Sequence, residues 1–468
     1  MNKFLQKSRH ILSIFRQSLS GEDYSFTSGS LKKALFILAV PMILEMIMES
    51  LFAVIDIFFV SKVGTSAVAA VGLTETVITL VYSLAIGISM AATATVSRRT
   101  GEGKPRAASK AAAQSMIVGL SVSIVLAIVG LTYDQEILLL MGASPELAEY
   151  GSVYLQWMFG GNIFIVYLFV INGIFRGVGK PHLAMQSLWL ANGLNIILDP
   201  CLILGLWIFP ELGLKGAAIA TNIGRGVGVL FQLYHLFKGR HSLKLKLSMF
   251  LPKILLLKRL IKISAGGVGQ MLISSASWIF LARIVAEFGQ AAFAGYTVSI
   301  RVIIFAILPA YGLANAAATM VGQNLGANKP LRAEKSVWLA TKANFIFLGI
   351  LALVFGIFAR DIVNLFDDTP EVVKIATLSL QIICVGYIPF GFAMVLSQSF
   401  NGAGDTKTPT VINFICEWVF QIPLAYLMAK TFGLGPYGVF LTVALTSLVM
   451  ASLFFIRFRK GNWKTQKV

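Results

Sequence analysis

The chain contains one pattern twice, with the second copy 225 residues after the first. The repeat spans glycines, a turn motif and a helix-end motif in the same order in both halves. The corresponding positions are Gly64 and Gly289, Gly101-x-x-Lys104-Pro105 and Gly326-x-x-Lys329-Pro330, and Phe175-x-Gly177-x-Gly179 and Phe400-x-Gly402-x-Gly404. A duplicated bundle of membrane helices usually binds its substrate between the halves and works by moving one half against the other.

The composition requires lipid as the solvent for much of the chain. Of 468 residues, 57% are hydrophobic and 13% are charged, which is more apolar surface than a soluble protein of this size can bury. Each apolar stretch is long enough to cross a hydrocarbon core of ~30 Å as a helix. We therefore predict an all-α integral membrane protein with twelve transmembrane helices in two parallel-repeat six-helix bundles. The stretches lie near residues 34–60, 66–96, 111–133, 150–174, 183–209 and 214–237, and near 260–286, 291–321, 336–359, 373–400, 408–430 and 436–456.

The distribution of basic residues predicts the orientation in the membrane. Most of the 39 Lys and Arg residues lie in segments on one side, and the cytoplasmic side is the one that carries such an excess. We expect a multi-pass protein of the plasma (inner) membrane with both termini cytoplasmic, and no nucleic-acid partner. The five basic residues predicted in outer loops are Lys62, Lys215, Arg360, Lys374 and Lys430.

The same topology divides the chain into five parts. Residues 1–30 are a cytoplasmic amphipathic arm, in which basic and apolar residues alternate as in a helix on the inner leaflet. Residues 31–238 are the N-lobe, 239–259 a cytoplasmic linker, 260–456 the C-lobe, and 457–468 a basic cytoplasmic tail. The three cysteines lie inside predicted spans and form no CxxC motif, so they indicate neither a disulfide framework nor a metal site.

The first predicted helix carries a stripe of acids on one face. Helical periodicity places Glu45, Glu49 and Asp56 on that face, and Pro41 lies near it. A charge at the bilayer centre costs about 2.5–3.5 kcal/mol or more, so each acid needs an explanation. They either take part in ion coupling and substrate binding or form ion pairs with neighbouring helices. Pro41 removes one backbone hydrogen bond and predicts a hinge in this helix.

Helix 5 supplies a second polar face. Spacings of three and four residues align Asn192, Asn195 and Asp199, which offer the hard oxygen ligands of a small cation or a carboxylate that takes a proton. Helix 6 adds Thr221 and Arg225, the latter as a possible partner of the acids. A hydrogen-bonded polar face packed on a neighbouring helix is the alternative for the helix 5 residues.

The two halves differ in their charges. The 225-residue offset turns the acids of helix 1 into uncharged residues in helix 7, which predicts that ion coupling belongs to the N-lobe. In the C-lobe, Arg301 and Glu417 are both deep in their spans and form a candidate buried pair. The helix 7 positions are Gln270, Ser274 and Leu281.

These motifs together resemble the multidrug and toxic compound extrusion (MATE) family over nearly the whole chain. They are, in chain order, Pro41 with Asp56-x-x-x-x-Ser61-Lys62-x-Gly64, then Ala69-Ala70, both Gly-x-x-Lys-Pro loops, Phe175-Arg-Gly-Val-Gly-Lys180 and Asn195-x-x-x-Asp199.

The resemblance implies a V-shaped pair of bundles that exports organic, often cationic, compounds in exchange for Na⁺ or H⁺. It also implies an ion site at Asp56, Asn195 and Asp199, with Thr221 as a fourth member. Ser274 and a position near Phe390 stand where the NorM-like branch has acids, so the chain looks more like the DinF-like branch. Its expected partners are small-molecule substrates, the coupling ion and the lipid bilayer, with no cofactor and a monomeric state.

Other functions remain as alternatives. A related flippase for lipid-linked precursors usually has more helices and a cationic cavity, whereas this N-lobe is anionic. Export of an organic anion is open because of Arg225 and Arg301. A prenyl transferase could use Asp367-Asp368-x-x-Glu371 to hold Mg²⁺-diphosphate, but that cluster is predicted in an outer loop. We therefore expect a transporter and not an enzyme.

Overall fold

The computed structural model describes residues 12–238 and 243–468, and the regular structure in those ranges is helical. The twelve predicted spans are found as long helices, α1 to α12. The prediction of an all-α protein with two six-helix halves is therefore confirmed. The helices are α1 Leu31–Ser61, α2 Thr65–Gly101, α3 Pro105–Thr132, α4 Pro145–Val178, α5 Pro181–Ile203, α6 Gly213–Lys238, α7 Ile254–Ala286, α8 Gln290–Gly326, α9 Pro330–Ile357, α10 Pro370–Ala403, α11 Lys407–Thr431 and α12 Pro436–Arg459.

Within the described residues, nine of these helices are long and apolar enough to cross a membrane by length and composition. They are α2, α3, α4 and α7 to α12. The other three, α1, α5 and α6, carry the polar residues of the candidate site. Helix α4 is interrupted at Gly161, between Pro145–Gly160 and Asn162–Val178.

Short helices lie between and beside the spans. Residues 12–20 are helical, so part of the predicted amphipathic arm is a helix, while its basic residues Lys3, Lys7 and Arg9 lie outside the described residues. Residues 239–242 of the predicted linker also lie outside them. The remaining short helices are Asp134–Leu140, Leu247–Phe250, Ala359–Asn364 and Asn462–Thr465.

The repeated Gly-x-x-Lys-Pro motif has one structural role in both halves. It ends α2 or α8 and starts the next helix with proline at a first-turn position, where the missing N–H costs no hydrogen bond. The residue before the lysine adopts a left-handed conformation, with φ +69° at Gly103 and φ +57° at Asn328. Glycine and asparagine are the residues that tolerate this conformation best. The motif is therefore a tight turn between consecutive spans.

The chain forms two compact units. Unit 1 contains Leu44–Val268 together with the residues up to Asp23, and unit 2 contains Tyr24–Ile43 and Gly269–Val468. The beginning of α1 thus belongs to unit 2, and the beginning of α7 belongs to unit 1. Each half of the sequence contributes the first part of its first helix to the other unit.

Two equivalent glycines make this exchange sterically possible. In unit 1, a Cβ on Gly87 of α2 would lie 2.6 Å from the backbone nitrogen of Val268 in α7. In unit 2, a Cβ on Gly312 of α8 would lie 2.7 Å from the backbone nitrogen of Ile43 in α1. Backbone atoms cannot move aside as a flexible side chain can. Small residues at such positions let membrane helices approach closely.

We expect Gly312→Ala to lower the stability of the protein by about 1–3 kcal/mol, because the added methyl overpacks a contact with α1 backbone. The measurement is the thermal unfolding midpoint of the purified protein in detergent. Gly349→Ala is the matched control in the same unit, because its Cβ would lie 4.0 Å from Ile388 Cδ1, an ordinary contact. Equal midpoints for the two variants would contradict the close packing inferred at Gly312.

Candidate functional site

The polar face of α5 forms a buried cluster with α6. Asp199 and Asn195 lie one helical turn apart, and both are buried. The Asn195 Nδ2 group donates to Asp199 Oδ1 at 3.1 Å and to Thr221 Oγ1 at 3.2 Å. Three of the residues predicted for the ion site are therefore in direct contact.

Several oxygens of this cluster accept no hydrogen bond from the protein. Asp199 Oδ2 and Asn195 Oδ1 are buried without a partner, and so is Asp56 Oδ1 on α1. Asp56 and Asp199 also repel each other electrostatically as like charges. Buried polar atoms are almost always satisfied, so oxygens left free in this way favour a bound proton or cation. Carboxylate and amide oxygens suit a hard monovalent cation; the described residues contain no group of three or more His, Cys, Asp or Glu that could hold a metal ion.

Arg225 on α6 provides positive charge close to these acids. Its guanidinium donates to the Tyr82 hydroxyl at 2.5 Å and lies over the rings of Phe52 and Tyr82, with centroid distances of 5.5 and 5.4 Å. Stacking on aromatic faces stabilises a desolvated cation. Arg225 interacts electrostatically with Glu49 and Glu75, and its Nη1 is buried without a hydrogen-bond partner.

The acidic stripe of α1 does not act as one group. Glu45 is buried and accepts from Asn172 Nδ2 at 2.9 Å and from the Arg176 guanidinium, both on α4. Asn172 Oδ1 in turn accepts from Gln232 Nε2 at 2.6 Å. Glu49 accepts from Asn192 Nδ2 at 3.2 Å. The ion-pair alternative thus describes Glu45, whereas Asp56 has an unsatisfied oxygen and no ion pair within 4 Å among the described residues.

Pro41 lies inside α1, and the helix continues through it. The boundary between the two units, at Ile43 and Leu44, comes shortly after it. Beyond this boundary, Trp189 Nε1 of α5 donates to the Leu44 carbonyl at 3.1 Å. The proline therefore marks the point where α1 passes from one unit to the other.

The sequence profile of the family described as MatE matches this chain twice, over residues 41–201 and 268–427. The two matches together cover more than half of the chain. The chain belongs to the MATE family. MATE proteins are membrane transporters without enzymatic activity, so this is a multi-pass membrane transporter.

Individual relatives match over nearly the full length. The chain is 27% identical over 463 residues to the probable multidrug resistance protein NorM of Thermotoga maritima, covering 97% of each chain. It is similar to a crystal structure of MATE in the straight conformation, with a TM-score of 0.89, 28% identity and coverage of 94% and 98% of the two chains. A crystal structure of MATE in the bent conformation matches with a TM-score of 0.87 and 28% identity over 93% and 96%. These matches do not decide between the NorM-like and DinF-like branches.

The candidate C-lobe pair of this MATE protein is not formed. Arg301 is exposed, and no ion pair within 4 Å joins it to Glu417 among the described residues. Glu417 instead accepts from Ser274 Oγ at 3.0 Å. Arg225 likewise forms no ion pair within that distance with Glu45, Glu49 or Asp199, although all three were possible partners. Depth in a span predicted that these residues are buried or functional, but not which helix faces them.

Sequence reasoning gave no site role to three residues of this region. Arg176 lies within the Phe-Arg-Gly motif at the end of α4 and is the partner of Glu45. In the sequence this motif counted as part of the repeat and of the family resemblance, and its arginine was not considered as an ion-pair partner. Glu75 is an acid inside the predicted second span, and its position there was the sequence signal that could have identified it. Tyr82 gave no such signal, because a single tyrosine in an apolar helix is usually a packing residue.

Proposed function

We propose that this transporter is a secondary antiporter, which exports organic compounds in exchange for Na⁺ or H⁺ with its ion site in unit 1. The observation that carries the proposal is that Asp56, Asn195 and Asp199 each have a buried side-chain oxygen that accepts no hydrogen bond. Thr221 completes the set through its contact with Asn195. A site lined by like-charged carboxylates binds a cation most strongly when those carboxylates are ionised.

The coupling in this mechanism is electrostatic. A proton or Na⁺ at Asp56 and Asp199 neutralises negative charge and weakens the attraction for a cationic substrate. A ligand shifts a conformational equilibrium only by its difference in affinity for the two states, and loss of this attraction supplies such a difference. Bending of α1 near Pro41, where a backbone hydrogen bond is missing, would then change how its acidic second part faces the site.

Glu49, Asn192 and Arg225 are accessory residues in this proposal. Glu49 and Asn192 form a hydrogen bond that links α1 to α5. Arg225 balances part of the negative charge contributed by Glu49, Glu75 and Asp56. The acids outnumber the single arginine, which favours a cationic or amphipathic substrate over an organic anion. Relatives carry the name of multidrug resistance proteins, and we extend multidrug efflux to this chain as part of the proposal.

The proposed setting is the plasma (inner) membrane, with both termini cytoplasmic and the transporter acting as a monomer without a cofactor. The excess of Lys and Arg in the predicted inner segments supports the orientation. The lobes are proposed as residues 31–238 and 260–456, joined by the linker 239–259.

The test is a drug-susceptibility panel in a host that lacks its own efflux pumps, repeated with and without Na⁺. We expect the wild-type protein to raise resistance to at least one cationic compound. In inside-out vesicles, an imposed ion gradient should drive uptake of that compound, and Asp56→Asn should abolish the dependence on the gradient. Undiminished gradient-driven transport by Asp56→Asn would rule out coupling at this carboxylate, and the active ion would be identified by which gradient, Na⁺ or H⁺, drives uptake.

A further inference from the structure

Helix α11 contains irregular turns around an acid inside the span. Phe414–Gln421 and Leu427–Thr431 have π-helical hydrogen bonding, while the residues between them are α-helical. Such π-helical turns are rare and occur frequently at functional sites. Glu417 lies in the first of these segments and belongs to unit 2, whereas the acidic stripe of α1 belongs to unit 1.

Helix α7 holds this part of α11 through three hydrogen bonds. Ser274 Oγ donates to Glu417 Oε1 at 3.0 Å, and Ser277 Oγ donates to the Glu417 carbonyl at 3.3 Å. Trp418 Nε1 of α11 donates to the Ile273 carbonyl at 3.0 Å. Two of these bonds attach the backbone and Trp418 of α11 to α7, and the third places the Glu417 carboxyl group against Ser274.

The second carboxyl oxygen of Glu417 has no partner. Oε2 is buried and accepts no hydrogen bond. No Lys, Arg or His of the described residues lies within 4 Å of the carboxyl group. The titratable groups that sense its charge are Tyr311 on α8 and Cys416 on α11 itself, and neither is a base. An ionised carboxylate buried without a cation is expensive, so this group requires a positive charge or a proton.

We propose that Glu417 and Ser274 form a second proton site, located in unit 2. One carboxylate and one hydroxyl provide too few oxygens to coordinate a metal cation, whereas a proton needs only the free lone pair on Oε2. Glu417 extends from α11 and contacts Ser274 of α7. Ser274 is the position that corresponds to Glu49 of the first repeat. If the protein is the proposed antiporter, this site contributes one additional proton exchanged per substrate, and that part of the proposal rests on the proposed function. Protonation of Glu417 itself does not depend on the antiport function.

The test is infrared difference spectroscopy of the purified full-length protein during a pH titration. A band of a protonated carboxyl group should be present in the wild type, retained in Asp56→Asn and Asp199→Asn, and lost in Glu417→Gln. Ser274→Ala removes the hydrogen bond to the carboxyl group, so the pH at which the band is half lost should differ from that of the wild type. Glu287→Gln, which changes a partly exposed acid paired with Lys430, is the control and should leave the titration unchanged.

Three results would overturn the proposal. The first is a Glu417→Gln protein that folds like the wild type and keeps the whole band. The second is a Ser274→Ala titration that coincides with the wild type. The third is loss of the Glu417 band at constant pH on adding NaCl but not KCl, which would identify Na⁺ as the ligand. In vesicles, the reversal potential should show that Glu417→Gln exchanges one proton fewer per substrate than the wild type. If no antiport is found, the infrared result still shows whether Glu417 binds a proton.

Discussion

Asp199→Asn is expected to reduce ion-driven export by at least about tenfold, which corresponds to ~1.4 kcal/mol of coupling free energy. In the wild type, Asn195 Nδ2 donates to Asp199 Oδ1 at 3.1 Å. The substitution removes the charge but keeps a side-chain oxygen that can accept this hydrogen bond. The fold should therefore be retained while the response to the ion is lost. The measurement is the initial rate of substrate uptake into inside-out vesicles under an imposed Na⁺ or H⁺ gradient.

The matched control is Asp134→Asn, the same chemical change at a carboxylate that accepts from Gln156 Nε2 at 2.8 Å in a short helix outside the spans. It should transport at the wild-type rate. In detergent, substrate binding by Asp199→Asn should no longer respond to added Na⁺ or to pH. An Asp199→Asn protein whose binding and uptake still respond to the ion as in the wild type would place coupling elsewhere.

Arg176→Met is expected to destabilise the protein by about 3–5 kcal/mol, because it leaves Glu45 buried without its cation. Glu45 Oε2 has no hydrogen-bond partner, so without Arg176 the carboxylate would keep only the hydrogen bond from the neutral Asn172 amide. The measurement is the thermal unfolding midpoint in detergent. Lowering the pH should recover part of the loss in this variant, since a protonated carboxyl group costs less to bury.

A double-mutant cycle separates the ion pair from simple loss of packing. Glu45→Gln combined with Arg176→Met should be more stable than Arg176→Met alone, because the buried charge is gone. Lys464→Gln is the control for removing one basic partner, since its pair with Glu334 is partly exposed and such pairs contribute about 0–1 kcal/mol. If the double variant were as unstable as Arg176→Met, the loss would reflect packing of the arginine side chain and not its charge.

Two acids of α1 have different roles. Glu45 is held by Arg176 and Asn172, which ties α1 to α4 just beyond the point where α1 enters unit 1. Asp56 lies farther along the same helix and keeps an oxygen without a partner. The first acid anchors the helix, and the second is available to an ion.

The sequence predicted the elements of the fold because membrane burial constrains them strongly. Twelve apolar stretches became α1 to α12, and the repeated Gly-x-x-Lys-Pro motif became the same turn twice. Helical spacing also predicted that Asn195 and Asp199 share a face, and they are in contact. Such relations within one helix depend only on periodicity, which the sequence contains.

Partners on different helices could not be predicted in the same way. Arg301 and Glu417 matched in depth and charge, yet the acid contacts Ser274 on α7 and the arginine is exposed. Arg225 has the charge expected of a partner for the acids of α1, yet its guanidinium donates a hydrogen bond to Tyr82 on α2. Depth along the bilayer is readable from position in a span, whereas the direction a helix faces depends on how all its neighbours pack.

The sequence by itself determined that this protein is a duplicated membrane transporter whose acidic helix occurs in one half. Hydropathy, the offset repeat and the positions of charges carry that information, because a chain in lipid must satisfy its backbone hydrogen bonds within its own regular structure. Only the tertiary structure decided which acid of α1 is neutralised by an arginine and which has no basic partner within 4 Å among the described residues. That difference depends on contacts between α1, α4, α5 and α6 that are distant in sequence, and close packing of whole helices fixes them.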